Sequence, residues 1–302
     1  MPSRSMVFLL LASLLVAAPS FAAHPNAERG FSADSAYQFG NLDAVNLFNG
    51  NVSLTLPLGQ RYEVGGSVSY GFTLVYNSKV WDYELGWDSG QQAEATNALP
   101  NRDSNAGLGW TVSQGRLKDG STDGTIRYPY SYYSADGGEH GFHYTLHDGE
   151  TAAANVFYTR DGSNLRLTVG SNVAEVEFPD GTAQTFELVF GSWRLKQLHD
   201  RFKDGSGAYV NFVNVSYPTS TPVCAGLAPA TLYSDSLGRS QTVCYQAHTY
   251  DGAQRLTVDS VVLTAFGGGT ARYQLSYLDA AVYRDCLDTN GSNSATTQVP
   301  LL

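Results

Sequence analysis

Eight times along this 302-residue chain an aspartate is followed directly by a glycine, at Asp119, Asp123, Asp136, Asp148, Asp161, Asp180, Asp204 and Asp251. Several of these pairs stand between segments in which apolar and polar residues alternate. Asp-Gly favours tight chain reversal, and two-residue alternation is the mark of a strand with one buried face, so the combination specifies antiparallel hairpins. Val156 to Thr159 is expected to face Leu165 to Val169, and Val173 to Phe178 to face Thr182 to Phe190. Trp193 to Phe202 should then meet Tyr209 to Tyr217, and Arg255 to Phe266 should meet Ala271 to Leu278 across Gly267-Gly268-Gly269. Helical periodicity is missing beyond the amino-terminal segment. The expected fold is all-β, an antiparallel meander of β-hairpins forming a large sheet, a sandwich or a partial β-shell.

The stretch from Val45 to Trp110 carries the most regular alternation. Asn49-Gly50 is expected to set the first turn, after which Val52, Leu54 and Leu56 form a first core face opposite Asn51, Ser53 and Thr55. Tyr70, Phe72, Leu74 and Tyr76 repeat the pattern. Gly109-Trp110 reads as a point of close backbone approach, with the indole filling the core. Between Tyr76 and Gly107 the alternation breaks into a stretch longer than ordinary connections, and loops of that length are functional or disordered.

Only 15% of the residues are charged while 12% are aromatic, a balance suited to sheets. The formal charge of -10 and the lack of any Lys/Arg cluster exclude a nucleic-acid backbone as partner. Residues 1–22 read as a signal peptide: Arg4 precedes an apolar run from Met6 to Val16, and Ser20-Phe21-Ala22 supplies the small-x-small cleavage pattern. The run is too short to span a bilayer, so the product is expected to be secreted, periplasmic or associated with the cell surface. Residues 23–40 are polar and without alternation, as in a flexible arm. Residues 41–284 form the all-β region, with a sub-boundary near 120–150, and 285–302 reads as a disordered tail or a truncation.

Export permits disulfides. Cys224 and Cys244 flank a turn-rich segment and could be brought together by a hairpin, which leaves Cys286 over. Candidate chemistry is sparse. His143 and His147 would share a face on a helix, but on a strand four residues span roughly 13 Å, too far for one ion. Asn101 to Gly107 has the alternating oxygen donors of a calcium loop but lacks its glycine and its bidentate glutamate. Trp81, Tyr83 and Trp87, interleaved with Asp82, Glu84 and Asp88, could form a sugar platform. No G-x-S-x-G nucleophile elbow occurs, and no cofactor is expected.

Val45-Asn46-Leu47-Phe48-Asn49-Gly50-Asn51-Val52-Ser53, then Leu74-Val75-Tyr76-Asn77-Ser78 and Gly107-Leu108-Gly109-Trp110, resembles the amino-terminal region of secreted bacterial RHS/YD-repeat proteins. Downstream, Phe178-Pro179-Asp180-Gly181 and Asp235-Ser236-Leu237-Gly238-Arg239 are similar to that family's repeat, the latter to its D-x-x-G-R core. The resemblance covers most of residues 41–278. It implies sheet that feeds a spiralling shell, which in related proteins encloses or presents a carboxy-terminal toxin or adhesive module. The long repeat array and the effector are missing here. The expected role is therefore a non-enzymatic, exported β-scaffold that encloses, displays or docks another polypeptide. The alternative is a secreted carbohydrate-binding module using Trp81, Tyr83 and Trp87.

Overall fold

The computed structural model describes residues 28–32, 35–88, 93–120, 128–225, 229–285 and 294–302, with the backbone alone at 84–88, 93–97, 284–285 and 294–295. The chain first lays down β1 (Tyr37–Phe39), β2 (Asp43–Asn46), β3 (Val52–Gly65) and β4 (Val68–Asn77). A separate two-stranded ladder, β5 (Trp81–Asp88) with β6 (Ala93–Pro100), follows. Next comes β7 (Trp110–Val112), which returns to β4, so the first sheet runs β1-β2-β3-β4-β7.

The second sheet is a 13-stranded antiparallel meander in strict sequence order. Its strands are β8 (Arg116–Asp119), β9 (Tyr130–Tyr133), β10 (Glu139–His143), β11 (Val156–Thr159), β12 (Arg166–Val169), β13 (Val173–Glu177) and β14 (Thr182–Val189). It continues through β15 (Ser192–Asp200), β16 (Phe212–Ser216), β17 (Ala230–Asp235), β18 (Ser240–Tyr250), β19 (Ala253–Thr264) and β20 (Thr270–Gln274). A last ladder joins β21 (Leu278–Asp285) to β22 (Ser294–Leu301). All four hairpins expected from the alternation are present, and β9 and β10 carry the same sheet through residues 120–150.

The corners work by two different devices. Between β18 and β19 the connection is two residues, and both Asp251 and Gly252 have positive φ (52° and 75°), the twist-matched reversal that Asp-Gly favours. Elsewhere the aspartate side chain closes the corner by accepting from backbone N–H groups ahead of it. Asp180 takes Thr182 N at 2.9 Å, and Asp204 takes Ser206 N at 2.8 Å and Ala208 N at 3.1 Å.

Alternation then decides what is buried. In β13, Ala174 and Val176 are fully buried while Glu175 and Glu177 turn outward, where Glu177 pairs with Arg166 across the ladder. The inner face of the β3–β4 hairpin, chiefly Leu58, Tyr62, Tyr70 and Phe72, lies against the meander as one continuous core. Phe72 meets Tyr233 edge-on at 5.0 Å, and the Tyr62 hydroxyl donates to Thr264 O at 2.8 Å. Each such ring withdrawn from water contributes about 1.5–3 kcal/mol. The meander also curls on itself. β8 comes back against β15, and Gln184 Nε2 donates to Gln114 O at 2.7 Å.

Four local expectations are corrected. Val52, Leu54 and Leu56 are only half-buried, whereas Asn51 and Ser53 on the other face are buried in a polar cluster around Asn77. The Asn77 carboxamide oxygen accepts from Gly30 N, Asn51 Nδ2 and Ser53 Oγ, each at 2.9 Å, so hydrogen bonding buries the polar side at the start of β3, while Leu56 and Leu58 on the apolar side meet the core. At the first turn only Gly50 is left-handed (φ 70°), and Asn46 closes the loop through both its backbone and its side chain. Trp110 is half-buried and leans on Tyr76 at 5.0 Å instead of filling the centre. The stretch after Tyr76 forms the β5–β6 ladder.

Residues expected to be an arm or a tail are held as well. β1 falls inside 23–40, and Gly30 packs so closely that a Cβ there would lie 2.1 Å from Gly138 N. At the other end β22 is docked: Leu108 N donates to Pro300 O at 2.9 Å, Asp251 N donates to Gln298 O at 3.0 Å, and Val299 is fully buried. Cys224 and Cys244 are disulfide-bonded with their Cα atoms 5.5 Å apart. Residues 1–27 and Cys286 lie outside the described residues.

Candidate binding site

Where the amino-terminal segment crosses the β4–β5 junction and the β8–β10 end of the meander, a cavity of about 160 Å³ opens. One water needs roughly 10–15 Å³ on the same measure, so a small organic molecule fits. Its walls combine aromatic rings, including Tyr37 and Tyr133, with charged side chains from separate parts of the chain: Arg29, Lys79, Asp103, Arg116 and Glu139.

Two ionic groups frame it. Arg29 donates from Nε to Lys79 O, and from Nη2 to Trp81 O at 2.8 Å and Asp82 Oδ1 at 2.7 Å. Asp82 also accepts from Asn101 Nδ2 at 2.9 Å and Arg102 N at 3.1 Å, which ties the β5 strand to the following loop. In the second group Arg116 Nη1 lies 2.6 Å and Lys118 Nζ 3.3 Å from the two oxygens of Asp103. Both cations stand over the Tyr133 ring, at 5.4 and 4.9 Å from its centroid. Alternation along β8 explains this, since Arg116 and Lys118 point to one face and Leu117 to the core.

The electrostatics follow from the geometry. Burial alone would raise the Asp103 carboxyl, but the Arg116 guanidinium and Lys118 ammonium outweigh it and hold that group below the usual carboxylate range. The Tyr133 hydroxyl is pushed well up, first by burial and then by the Glu139 and Asp103 carboxylates, so it stays protonated and able to donate. Arg116 Nε is buried and has no hydrogen-bond partner among the described residues. A buried charged donor left unmet is costly.

The residues singled out from the sequence are dispersed. Trp81 and Tyr83 share one face of β5, with Tyr83 60% exposed, while Asp82 between them turns to the opposite side and binds the body. Trp87 has the same parity on β5, but its side chain lies outside the described residues. The oxygens of the calcium-like loop are used internally: Asp103 by its two cations, Asn105 Oδ1 by Val112 N at 2.8 Å, and the Asn101 carbonyl by the Tyr250 hydroxyl at 2.6 Å. His143 lies edge-on to Tyr128, whereas His147 sits beyond β10 in the loop that Glu150 closes. Among the described residues no group of three or more His, Cys, Asp or Glu side chains could hold a metal ion.

Neither Arg29 nor Arg116 stood out in the sequence. The Arg-x-Lys alternation of β8 was legible there, but its carboxylate partner in a preceding loop was not. The chain matches no known protein-family model and no curated protein sequence.

Proposed function

We propose that this chain is a non-enzymatic, exported β-scaffold of RHS/YD-repeat type whose sheet encloses, displays or docks another polypeptide. The meander carries this reading. Thirteen strands are added one hairpin at a time in sequence order, and the last of them, β20, is an edge strand with an alternating exposed and half-buried pattern. Such an edge offers backbone N–H and C=O groups to an incoming strand. Exposed apolar side chains at the far end of the first sheet, Phe39, Leu47 and Phe48, offer a second contact.

The test is site-specific photo-crosslinking in the producing cell, with the crosslinker at Ala271 on β20 or at Leu47, beside Phe48. A discrete polypeptide adduct at either position, lost when Thr270→Pro blunts the β20 edge or Phe48→Ser removes the ring, supports the scaffold. No adduct above background at both positions removes it.

A second reading, the carbohydrate-binding module, is favoured by one observation: Trp81 and Tyr83 share a β5 face. Retention on a polysaccharide affinity gel that is lost in the Trp81→Ala, Trp87→Ala double variant would establish it, and no retention on any gel removes it.

A further inference from the structure

We propose that the cavity between the amino-terminal segment and the β8–β10 end is a binding site for an acidic sugar, a hexuronate or a chain end that carries one, held by its carboxylate on Arg116 and Lys79. The inference is independent of the scaffold reading and of the β5 aromatic face.

Three observations converge. Arg116 spends Nη1 on Asp103 and leaves Nε buried and unpartnered. The Lys79 ammonium, also in the lining, has no hydrogen bond or ion pair among the described residues. Two cations lining one cavity, one of them without a counter-ion, favour an anionic oxygen, and a guanidinium suits a carboxylate. The carboxylates in the lining decide which anion. Glu28, Asp103 and Glu139 also line the cavity, so a doubly charged phosphate or sulfate would be repelled by three carboxylates. A singly charged acid that carries hydroxyl groups matches this mixed lining: its carboxylate faces the cations, while its hydroxyls donate to Glu139 and accept from Thr111. The Tyr133 and Tyr37 rings supply flat faces for the C–H surface of a pyranose, and about 160 Å³ holds one such ring.

Isothermal titration with sodium D-glucuronate and sodium D-galacturonate tests this, with D-glucose, sodium acetate and sodium phosphate as controls. One or both hexuronates should bind one to one with Kd between about 10 μM and 1 mM, and every control at least ~10-fold more weakly. Lys79→Gln and Thr111→Val should each weaken binding by about 3- to 10-fold with thermal unfolding unchanged, and Arg116→Gln by more. Should Arg116→Gln fail to fold, the other two variants carry the comparison. No hexuronate binding up to about 10 mM, phosphate binding as tight as uronate, or affinity unmoved by Lys79→Gln and Thr111→Val would each overturn the assignment.

Discussion

The Asp235 carboxylate, completely excluded from solvent, lies 2.7 Å from the guanidinium of Arg239, four residues on across its own turn. Its other oxygen accepts from Leu237 N and Arg239 N at 3.0 Å each, while Tyr70 in the packed hairpin donates at 3.1 Å to the same oxygen that meets Arg239. Arg239 Nη2 then reaches Glu63 O at 2.6 Å. One turn thus closes itself and also joins the meander to the β3–β4 hairpin.

Removing either partner strands the other. Asp235→Ala should cost about 3–5 kcal/mol, since it leaves a guanidinium, a phenol and two backbone donors unmet. Arg239→Ala should cost less, because Arg239 is partly solvated, and the double variant should be less damaging than the sum of the two. Urea unfolding of the four proteins measures this, and strict additivity would show that the pair does not act as a unit.

Glycine at 109 is required by space as well as by conformation. Its φ is 81°, and a Cβ would lie 2.6 Å from Tyr76 Cε2 and 2.8 Å from Val80 Cγ1. Gly109→Ala should destabilise by about 2–4 kcal/mol, whereas Gly149→Ala, at φ 85° with nothing within 4 Å of the added carbon, should cost about 1 kcal/mol. Equal losses would place the whole effect in the backbone.

Asn77 is the hub that holds the amino-terminal segment, through Gly30 N and, by its own Nδ2, Asp136 O at 3.0 Å. Asn77→Ala should lower stability by about 2–4 kcal/mol and expose the bond after Arg29 to trypsin under native conditions. Unchanged cleavage kinetics at Arg29 would show that the segment is held by its other contacts alone.

Acid should weaken the His140–Asp161 corner. Burial alone would raise the Asp161 carboxyl, but hydrogen bonds from His140, at 2.7 Å, and Ser163 outweigh it and bring the group down to about 2 from an ordinary 3.8. A depressed carboxylate contributes stability that is complete above pH 3.8 and is lost as the pH falls through 2. The contribution is on the order of 2 kcal/mol. In Asp161→Asn the decline of unfolding free energy between those pH values should be shallower than in the wild type, and parallel curves would refute the assignment.

Reducing the Cys224–Cys244 bond opens a link between residues 20 apart, which corresponds to about 3 kcal/mol of unfolded-state entropy. Both sulfurs are buried beside Ala230 and Val262, so Cys224→Ala with Cys244→Ala should also lose packing. Thermal unfolding with and without dithiothreitol separates the two effects. A melting temperature insensitive to dithiothreitol would remove the entropic part.

Alternation and corner residues made the strands of the meander legible because both are local: side-chain parity and turn geometry are set within a few residues. The polar cavity was not legible, because Arg29, Lys79, Asp103 and Arg116 meet only after the chain has folded over itself. The same limit explains the first strand. Val52 and Leu54 have the pattern of a core face, yet Gly30 and Asp136, distant in sequence, fix Asn77, which in turn holds Asn51 and Ser53, and the polar side is buried.

The sequence by itself determined that this protein is an antiparallel β meander and where most of its reversals fall, because two-residue periodicity and Asp-Gly corners leave the backbone few alternatives. Only the tertiary structure decided which face of β3 is dry, which segments at the two ends of the chain are docked, and which charges share a cavity. Burial and ion pairing depend on what arrives from elsewhere in the chain, and short-range patterning holds no record of that.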